Sequence, residues 1–156
     1  MTSFDVIYDR FLGKITDDMY QEWTKEETIE DCRNILADAI PYFEFPRFAI
    51  YDYDENGFTA DLTQEEINIL AILMMRAWVQ RQITSIENTR MKYSNADFKM
   101  TSQANHLAKL ISLKDNISTE ERHMQRLYRR RRRKEEDGSM ESNWSVLIEK
   151  SALSDD

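Results

Sequence analysis

The stretch of sequence that decides the fold is Thr63-Gln-Glu-Glu-Ile-Asn-Ile-Leu-Ala-Ile-Leu-Met-Met-Arg-Ala-Trp-Val79. Thr63 and Glu66 form a capping-box pattern, which is typical of the start of a helix. From Ile67 to Val79 the residues are apolar almost all round. A helix without a polar face is a buried central helix, so the other elements are expected to pack around this one.

A short helix is predicted near the start of the chain. It would begin at Thr2 or Ser3 and end before Gly13, which we expect to cap it in the left-handed conformation. Its apolar residues have the three- and four-residue spacing of an amphipathic helix. They are Phe4, Ile7, Tyr8, Phe11 and Leu12.

After a connector at residues 15–23, a second helix is predicted to begin at Thr24, whose capping-box partner is Glu27. Pro41 falls within its last turn and predicts a kink or an end there. The apolar stripe of this helix consists of Ile29, Cys32, Leu36, Ala39, Ile40 and Phe43.

A small β-hairpin insertion is predicted at about residues 47–61, with strands at residues 48–51 and 58–61. Asn56 and Gly57 form its turn signal, because both residues tolerate positive φ. This segment is too small to be stable alone and must rest on the helices.

The same turn matches the first half of a calcium-binding loop at Asp52, Asp54 and Asn56. The twelfth position of such a loop supplies a bidentate Glu, but this position holds Thr63. The flanking segments also resemble strands and not helices. We therefore predict an acidic turn without bound calcium. A small calcium-dependent or acid–base enzyme is the least favoured hypothesis for the function of the chain.

A last long helix is predicted from Thr101 or Ser102 to about Asp137. Neither Gly nor Pro occurs between residues 102 and 137. Such a helix would be about 50 Å long, so its end is expected to project from the body of the protein. A break at residues 116–119 is an alternative, since Ser118 and Glu121 repeat the capping-box pattern.

Together these patterns predict a mainly α protein, a helical bundle of about four helices with a small β-hairpin insertion and an extended C-terminal helix and tail. The 156-residue chain contains only three Gly and two Pro, which favours helices. We expect a helical domain at residues 1–137 and a tail at residues 138–156 that becomes ordered on docking. No secretory signal is visible, and the longest apolar run is too short to span a bilayer, so a soluble protein without a membrane partner is expected.

Charge is distributed unevenly along the chain, whose net charge is −8. Residues 122–134 contain eight of the 21 basic residues and no acidic one, leaving 13 basic against 29 acidic residues elsewhere. The predicted partner-binding residues are Arg122, Arg126, Arg129, Arg130, Arg131, Arg132, Arg133 and Lys134. On a helix the five consecutive arginines would cover every face, which suits an enclosing partner. Nucleic-acid phosphates or an acidic protein surface would bind them, whereas the alternative is a solvated helix end that complements the helix dipole.

A second candidate binding segment lies in the otherwise polar tail. Its apolar residues are Trp144, Val146, Leu147 and Ile148. They would either dock in the groove or against the sheet edge of a partner, or pack back on the same chain. The residues alone do not favour one of these interpretations over the other.

Catalytic motifs are not found in this sequence. His106 and His123 are too far apart on the last helix to share a local metal site, and Cys32 is expected to be an apolar filler on the second helix. With three glycines, a phosphate-cradling loop is hardly possible. We therefore expect no enzymatic activity, no cofactor and no metal.

The sequence resembles the head–tail connector adaptors (neck or head-completion proteins) of tailed bacteriophages over roughly residues 1–134. The order and spacing of four segments carry the resemblance. They are Phe11-Leu-Gly-Lys-Ile-Thr-Asp-Asp18, Ile35-Leu-Ala-Asp-Ala-Ile-Pro-Tyr-Phe43, Leu62-Thr-Gln-Glu-Glu-Ile-Asn-Ile-Leu70 and Tyr93-Ser-Asn-Ala-Asp-Phe-Lys-Met-Thr-Ser-Gln-Ala-Asn-His-Leu107.

This resemblance implies a virion structural protein that forms a ring, usually of twelve subunits, beneath the portal protein. A stopper or tail-completion protein would bind below, and genomic DNA would pass through the lumen without sequence specificity. The implied location is the neck of the virion, and the host cytoplasm during assembly. A nucleic-acid-binding accessory or regulatory protein that uses the basic helix is the alternative.

Overall fold

The computed structural model describes residues 1–15, 19–92, 100–133 and 140–141. The elements in chain order are β1 (Thr2–Ser3), α1 (Phe4–Leu12), α2 (Met19–Glu22), α3 (Lys25–Ala39), a 3₁₀ turn (Ile40–Tyr42), β2 (Gly57–Phe58), α4 (Gln64–Lys92), α5 (Met100–Arg130), β3 (Arg132–Arg133) and β4 (Met140–Glu141). The prediction of a mainly α helical bundle with a small antiparallel β element is confirmed.

Helix α4 is the central element, as predicted, and α1, α3 and α5 all pack on it. Its start is fixed by the predicted capping box, in which the Glu66 amide donates to Thr63 Oγ1 over 3.3 Å and the Thr63 amide donates to Glu66 Oε2 over 2.7 Å. The fully buried residues of its first half include Leu70, Ala71 and Met74. Burial on several sides explains why this half of the sequence has no polar face.

Helices α1 and α3 begin where the sequence predicts. Ser3 caps α1, and Thr24 and Glu27 form a complete capping box at the start of α3. Gly13 ends α1 in the right-handed conformation, with φ −67° and ψ −13°, so the predicted left-handed cap is wrong. The right-handed turn suffices because the Gly13 amide still donates to the Asp9 carbonyl over 3.0 Å.

The hairpin is present but narrower than predicted, since the strand predicted at residues 58–61 is limited to Gly57–Phe58. Tyr53 and Phe58 form an antiparallel bridge, which closes the turn around Asn56. The predicted strand at residues 48–51 is wrong, because Phe48 instead packs in an aromatic cluster against the rings of Phe43 and Phe58. The other partner of β2 is β1, the first strand of the chain.

Gly57 is required for a reason that the sequence does not reveal. Its backbone does not adopt positive φ, but a Cβ atom there would lie 2.8 Å from the Ser3 Cα atom. Only glycine therefore allows the backbone of β1 to approach β2 this closely.

Helix α5 runs antiparallel to α4 and continues through residues 116–119, so the alternative with a break is wrong. The predicted end at about Asp137 is also wrong, since α5 ends at Arg130. Beyond it, β3 pairs with β4 in an antiparallel register, Arg132 opposite Glu141. Residues 134–139 and the rest of the predicted tail lie outside the described residues.

Candidate partner-binding surface

The predicted basic segment is divided between the end of helix α5 and strand β3. Four of its side chains are exposed on the last turns of α5 and, at spacings of three and four residues, lie on one face of the helix. We call this set the arginine stripe: Arg122, Arg126, Arg129 and Arg130. Arg131 follows the helix, Arg132 and Arg133 belong to β3, and Lys134 lies outside the described residues. The prediction that five consecutive arginines encircle a helix is therefore wrong.

Arg47 explains why α5 ends inside the arginine run. Its guanidinium donates hydrogen bonds to the carbonyl oxygens of Tyr128 and Arg131, and its Cζ atom lies 4.2 Å from the centre of the Tyr128 ring. The last carbonyls of a helix have no partner within the helix. Arg47 satisfies two carbonyls at this end, and the chain then leaves the helix for β3.

Tyr128 joins the end of α5 to the start of α4. Its side chain is 1% exposed, and its hydroxyl donates to Glu66 Oε1 over 2.6 Å and accepts the Arg47 amide over 2.9 Å. Burial raises the pKa of Tyr128, and the carboxylate of Glu66 raises it further. The hydroxyl therefore remains a donor at neutral pH, so this contact is a fixed structural link.

Several of the predicted binding arginines already have partners within the chain. Arg131 forms an ion pair with Glu65 at 2.9 Å, and the Arg129 guanidinium stacks 4.5 Å from the centre of the Phe45 ring. Arg126 and Arg130 are exposed and form no ion pair with any residue in the described part of the chain. These two are the members of the arginine stripe with the most freedom to bind an external anion.

A second buried polar cluster holds the loop after α3 on α5. Gln125 Nε2 donates to the Tyr42 carbonyl over 3.1 Å, and Gln125 Oε1 accepts the Glu44 amide over 2.8 Å. Beside it, Arg76 of α4 pairs with buried Glu121 at 3.1 Å. No sequence motif predicted this cluster, although positions 117, 121, 125 and 128 follow one buried helical face.

A third polar cluster joins α2, α3 and α4 around Asp31. Arg81 donates two hydrogen bonds to its carboxylate, at 2.6 and 2.8 Å, and the Tyr20 hydroxyl donates a third at 2.6 Å. Burial acts to raise the pKa of Asp31, but the bonds from Arg81 and Tyr20 outweigh it and leave the pKa below its usual value. The same burial raises the pKa of Tyr20.

An apolar groove of about 540 Å³ lies between α3, Phe4 and the hairpin turn, and we call it the α3 groove. Buried Leu36 and Ile40 contribute its apolar lining, whereas exposed Arg33, Asp54 and Glu55 give it an edge that carries both signs of charge. Its lining comes from three separated parts of the sequence. No motif in the sequence predicted it.

The acidic turn uses its carboxylates to fix its own backbone. Asp54 Oδ1 accepts the amides of Asn56 and Gly57, at 2.7 and 3.0 Å, and Asp52 accepts the Thr59 hydroxyl at 3.2 Å. Thr63, at the twelfth position, belongs to the capping box of α4. Within the described ranges, no group of three or more His, Cys, Asp or Glu side chains is placed to hold a metal ion.

The remaining candidate residues are placed as follows. Cys32 is buried, and burial raises the pKa of its thiol to about 12. His106 and His123 are exposed on α5. Trp144, Val146, Leu147 and Ile148 lie outside the described residues, so docking of the tail stays a prediction. Among the described helices, none is both long enough and apolar enough to cross a membrane.

Comparison with known proteins identifies no relative. No protein-family model, no curated protein and no solved structure matches this chain. Function must therefore be inferred from the residues and contacts of the chain itself.

Proposed function

We propose that this protein is a virion structural protein, a head–tail adaptor of a tailed bacteriophage. About twelve copies would form a closed ring between the portal protein and a stopper or tail-completion protein, because repeated head-to-tail contacts generate rings. Genomic DNA would pass through the lumen without sequence-specific contacts. The protein would act in the neck of the virion, after assembly in the host cytoplasm. The resemblance of the four segments quoted above is the first support for this proposal.

The observation that carries the proposal is the α4–α5 pair, two long helices joined by side-chain contacts. The two helices have 29 and 31 residues, which corresponds to lengths of about 45 Å. Side-chain contacts join them at successive levels, from Glu66–Tyr128 through Arg76–Glu121 to Gln80–Lys114. A subunit that holds two partners at a fixed separation needs a body with this kind of cross-linking.

The division of charge also supports an adaptor. The arginine stripe is confined to the end of α5, and the sequence outside residues 122–134 contains 29 acidic residues against 13 basic ones. The stripe would bind an acidic surface of the portal. An acidic lumen would repel DNA phosphates and keep the genome from adhering to the ring.

We propose a non-enzymatic role because the buried ionisable groups bind one another. Arg81 and Tyr20 donate hydrogen bonds to the carboxylate of Asp31. Tyr128 donates one to the carboxylate of Glu66. Structural ion-pair networks perturb pKa values as catalytic sites do, so the lowered pKa of Asp31 does not by itself indicate catalysis. The bonds to Asp31 and Glu66 join helices.

The second candidate is a nucleic-acid-binding accessory or regulatory protein. Arg122, Arg126 and Arg130 favour it, because they are exposed and follow one another along α5 at four-residue spacing, about 6 Å along the axis. Such a row can follow a phosphate backbone. Binding of this kind weakens steeply as salt concentration rises.

Co-sedimentation with purified portal rings tests the adaptor proposal. The wild-type chain should bind the rings, and a triple variant with Arg122, Arg126 and Arg130 changed to Ser should bind ~10-fold more weakly, since each lost charge contact contributes about 0.5 kcal/mol at an exposed site. A matched control with Lys14, Lys25 and Lys109 changed to Ser removes three exposed charges elsewhere and should bind like the wild type.

A parallel titration with short duplex DNA separates the two candidates. The adaptor should bind DNA weakly at physiological salt. A steep salt dependence that the Arg122, Arg126 and Arg130 changes abolish, together with no association with portal rings, would replace the adaptor proposal by the second candidate. The order of neighbouring genes is an independent check, with portal and capsid genes expected on one side and tail genes on the other.

A further inference from the structure

The end of the 3₁₀ turn and the loop after it present two aromatic side chains to solvent, and we call residues 42–45 the aromatic loop. Tyr42 is 52% exposed and Phe45 is 49% exposed, whereas Phe43 between them is buried against the Tyr128 ring. Isolated apolar residues are normal on protein surfaces. These two differ because their loop is held in place and because a basic side chain lies against each ring.

A buried glutamine fixes the aromatic loop on α5. The side-chain amide of Gln125 donates to the Tyr42 carbonyl over 3.1 Å and accepts the Glu44 amide over 2.8 Å. Gln125 is buried, so water does not compete for these two bonds. A surface that already has its bound conformation loses less conformational entropy when a partner binds. The two exposed rings are therefore positioned before any partner arrives.

A guanidinium group lies over each exposed ring. The Arg129 Cζ atom is 4.5 Å from the centre of the Phe45 ring, and the Arg76 Cζ atom is 4.4 Å from the centre of the Tyr42 ring. Glu121 balances the charge of Arg76, whereas Arg129 belongs to the arginine stripe. Aromatic residues and arginine are the residue types enriched in protein interfaces. The Phe45 side of the loop thus combines apolar area with positive charge.

Positive charge predominates beside Phe45. Arg122 and Arg126 lie seven and three residues before Arg129, on the same face of α5, so the arginine stripe extends from Phe45 along the helix. Glu44 is the exposed acid of the aromatic loop, and the four arginines of the stripe outnumber it. Charge complementarity therefore favours an acidic partner.

We propose that Phe45 and the arginine stripe form one binding surface for an acidic protein segment that also carries an apolar side chain. Phe45 buries the apolar side chain, and Arg122 and Arg126 bind the carboxylates that flank it. The inference rests on the proposed function, in which this segment belongs to the portal protein, and it names the chemistry of that contact. Salt screens the arginine contacts but not the apolar contact with Phe45.

Two synthetic peptides of equal length and equal negative charge test the inference. Both consist of glutamate and serine, and in one of them two serines are replaced by leucine. In fluorescence anisotropy titrations, the full-length chain should bind the leucine-containing peptide ~10-fold more tightly than the other, because burial of leucine against Phe45 adds to the charge contacts. Equal affinities for the two peptides would overturn the inference.

Phe45→Ser should abolish the preference for the leucine-containing peptide and leave the affinity for the other peptide close to that of the wild type. Phe45→Leu keeps an apolar side chain at this position and should retain most of the preference. Tyr51→Ser is the matched control, because Tyr51 is 71% exposed and lies before the hairpin turn. It should bind both peptides like the wild type. A preference that survives Phe45→Ser, or that Tyr51→Ser also removes, contradicts the role of Phe45.

Binding to purified portal rings separates this inference from the proposed function. Phe45→Ser should weaken binding to the rings by ~10-fold and leave its salt dependence unchanged, because an apolar contact is lost. The combined Arg122, Arg126 and Arg130 changes should instead reduce the salt dependence. Portal binding that Phe45→Ser leaves intact overturns only the inference about Phe45, whereas no portal binding by the wild type refutes the adaptor proposal.

A single-stranded oligonucleotide of the same charge as the peptides tests a different class of partner. Aromatic rings beside arginines also stack on nucleic-acid bases. We expect the oligonucleotide to bind more weakly than the leucine-containing peptide and to be insensitive to Phe45→Ser. Tighter binding than that of either peptide, lost in Phe45→Ser, would overturn the inference and assign the ring to base stacking.

Discussion

Asp31 is a single residue at which three helices are joined. Tyr20 of α2 and Arg81 of α4 both donate to its carboxylate, and Asp31 itself belongs to α3. No local pattern distinguishes Asp31 from the neighbouring acids on the same helix. Its role depends on Arg81, which is fifty positions away in the chain, and local pattern does not reveal such a pairing.

Asp31→Asn should lower the free energy of unfolding by about 1–2 kcal/mol at pH 7, since hydrogen bonds to a charged group are lost from a partly solvent-screened pair. The pKa of Asp31 is lowered in the folded state, so its contribution is present above the unfolded pKa, near 4, and is lost as pH falls further. Urea unfolding at pH 7 and pH 3 measures this. The difference between wild type and variant should shrink at pH 3, and Asp38→Asn, an exposed change on α3, should have little effect at either pH.

Gly57→Ala should destabilise the protein by about 2–3 kcal/mol, because the new methyl group would overlap the backbone of β1. Gly13→Ala provides the control, since Gly13 has a right-handed conformation that alanine also adopts. Its cost should stay below about 1 kcal/mol. Thermal unfolding of both variants would contradict this explanation if the two melting temperatures fell equally.

The helices show which elements can be predicted from sequence and which cannot. The starts of α3 and α4 were predicted correctly because a capping box consists of residues three positions apart. The end of α5 was not, because the side chain that ends it, Arg47, lies more than eighty residues earlier. In the same way, β2 pairs with β1 across more than fifty residues, and its turn signal could not indicate that partner.

Arg47→Ala should loosen the last turn of α5, because the carbonyls of Tyr128 and Arg131 would lose their donor. Amide hydrogen exchange should become faster over residues 128–133, while α4 remains protected. Arg33→Ala, which removes an arginine that also bonds a carbonyl, should leave exchange at the end of α5 unchanged. Unaltered protection in Arg47→Ala would mean that another contact ends the helix.

Tyr128→Phe should lower the free energy of unfolding by about 1–3 kcal/mol, since the buried Glu66 carboxylate would lose a hydrogen-bond donor while the ring packing is retained. Tyr51→Phe removes a hydroxyl from an exposed ring and should be nearly neutral. Urea denaturation of the two variants gives the comparison. Equal stabilities would show that the contact adds nothing beyond packing.

At the scale of the whole molecule, the sequence predicted the mainly α class and the central place of α4. It also identified the arginine stripe, since a run of basic residues is visible without a structure. The prediction that Arg131, Arg132 and Arg133 belong to the helix was wrong, because the local residues indicated only that the long helix continues. The α3 groove could not be predicted from the sequence, because Phe4, Leu36 and Glu55 come together only after folding.

The antiparallel pairing of α4 and α5 has a mechanical consequence. A load applied along the axis of the pair would shear the helices past each other, so contacts such as Glu66–Tyr128 and Arg76–Glu121 would bear it together. A load applied across one end would peel the helices apart and break the same contacts one after another. A subunit oriented with this pair along the direction of pull would therefore resist forces that would open it from the side.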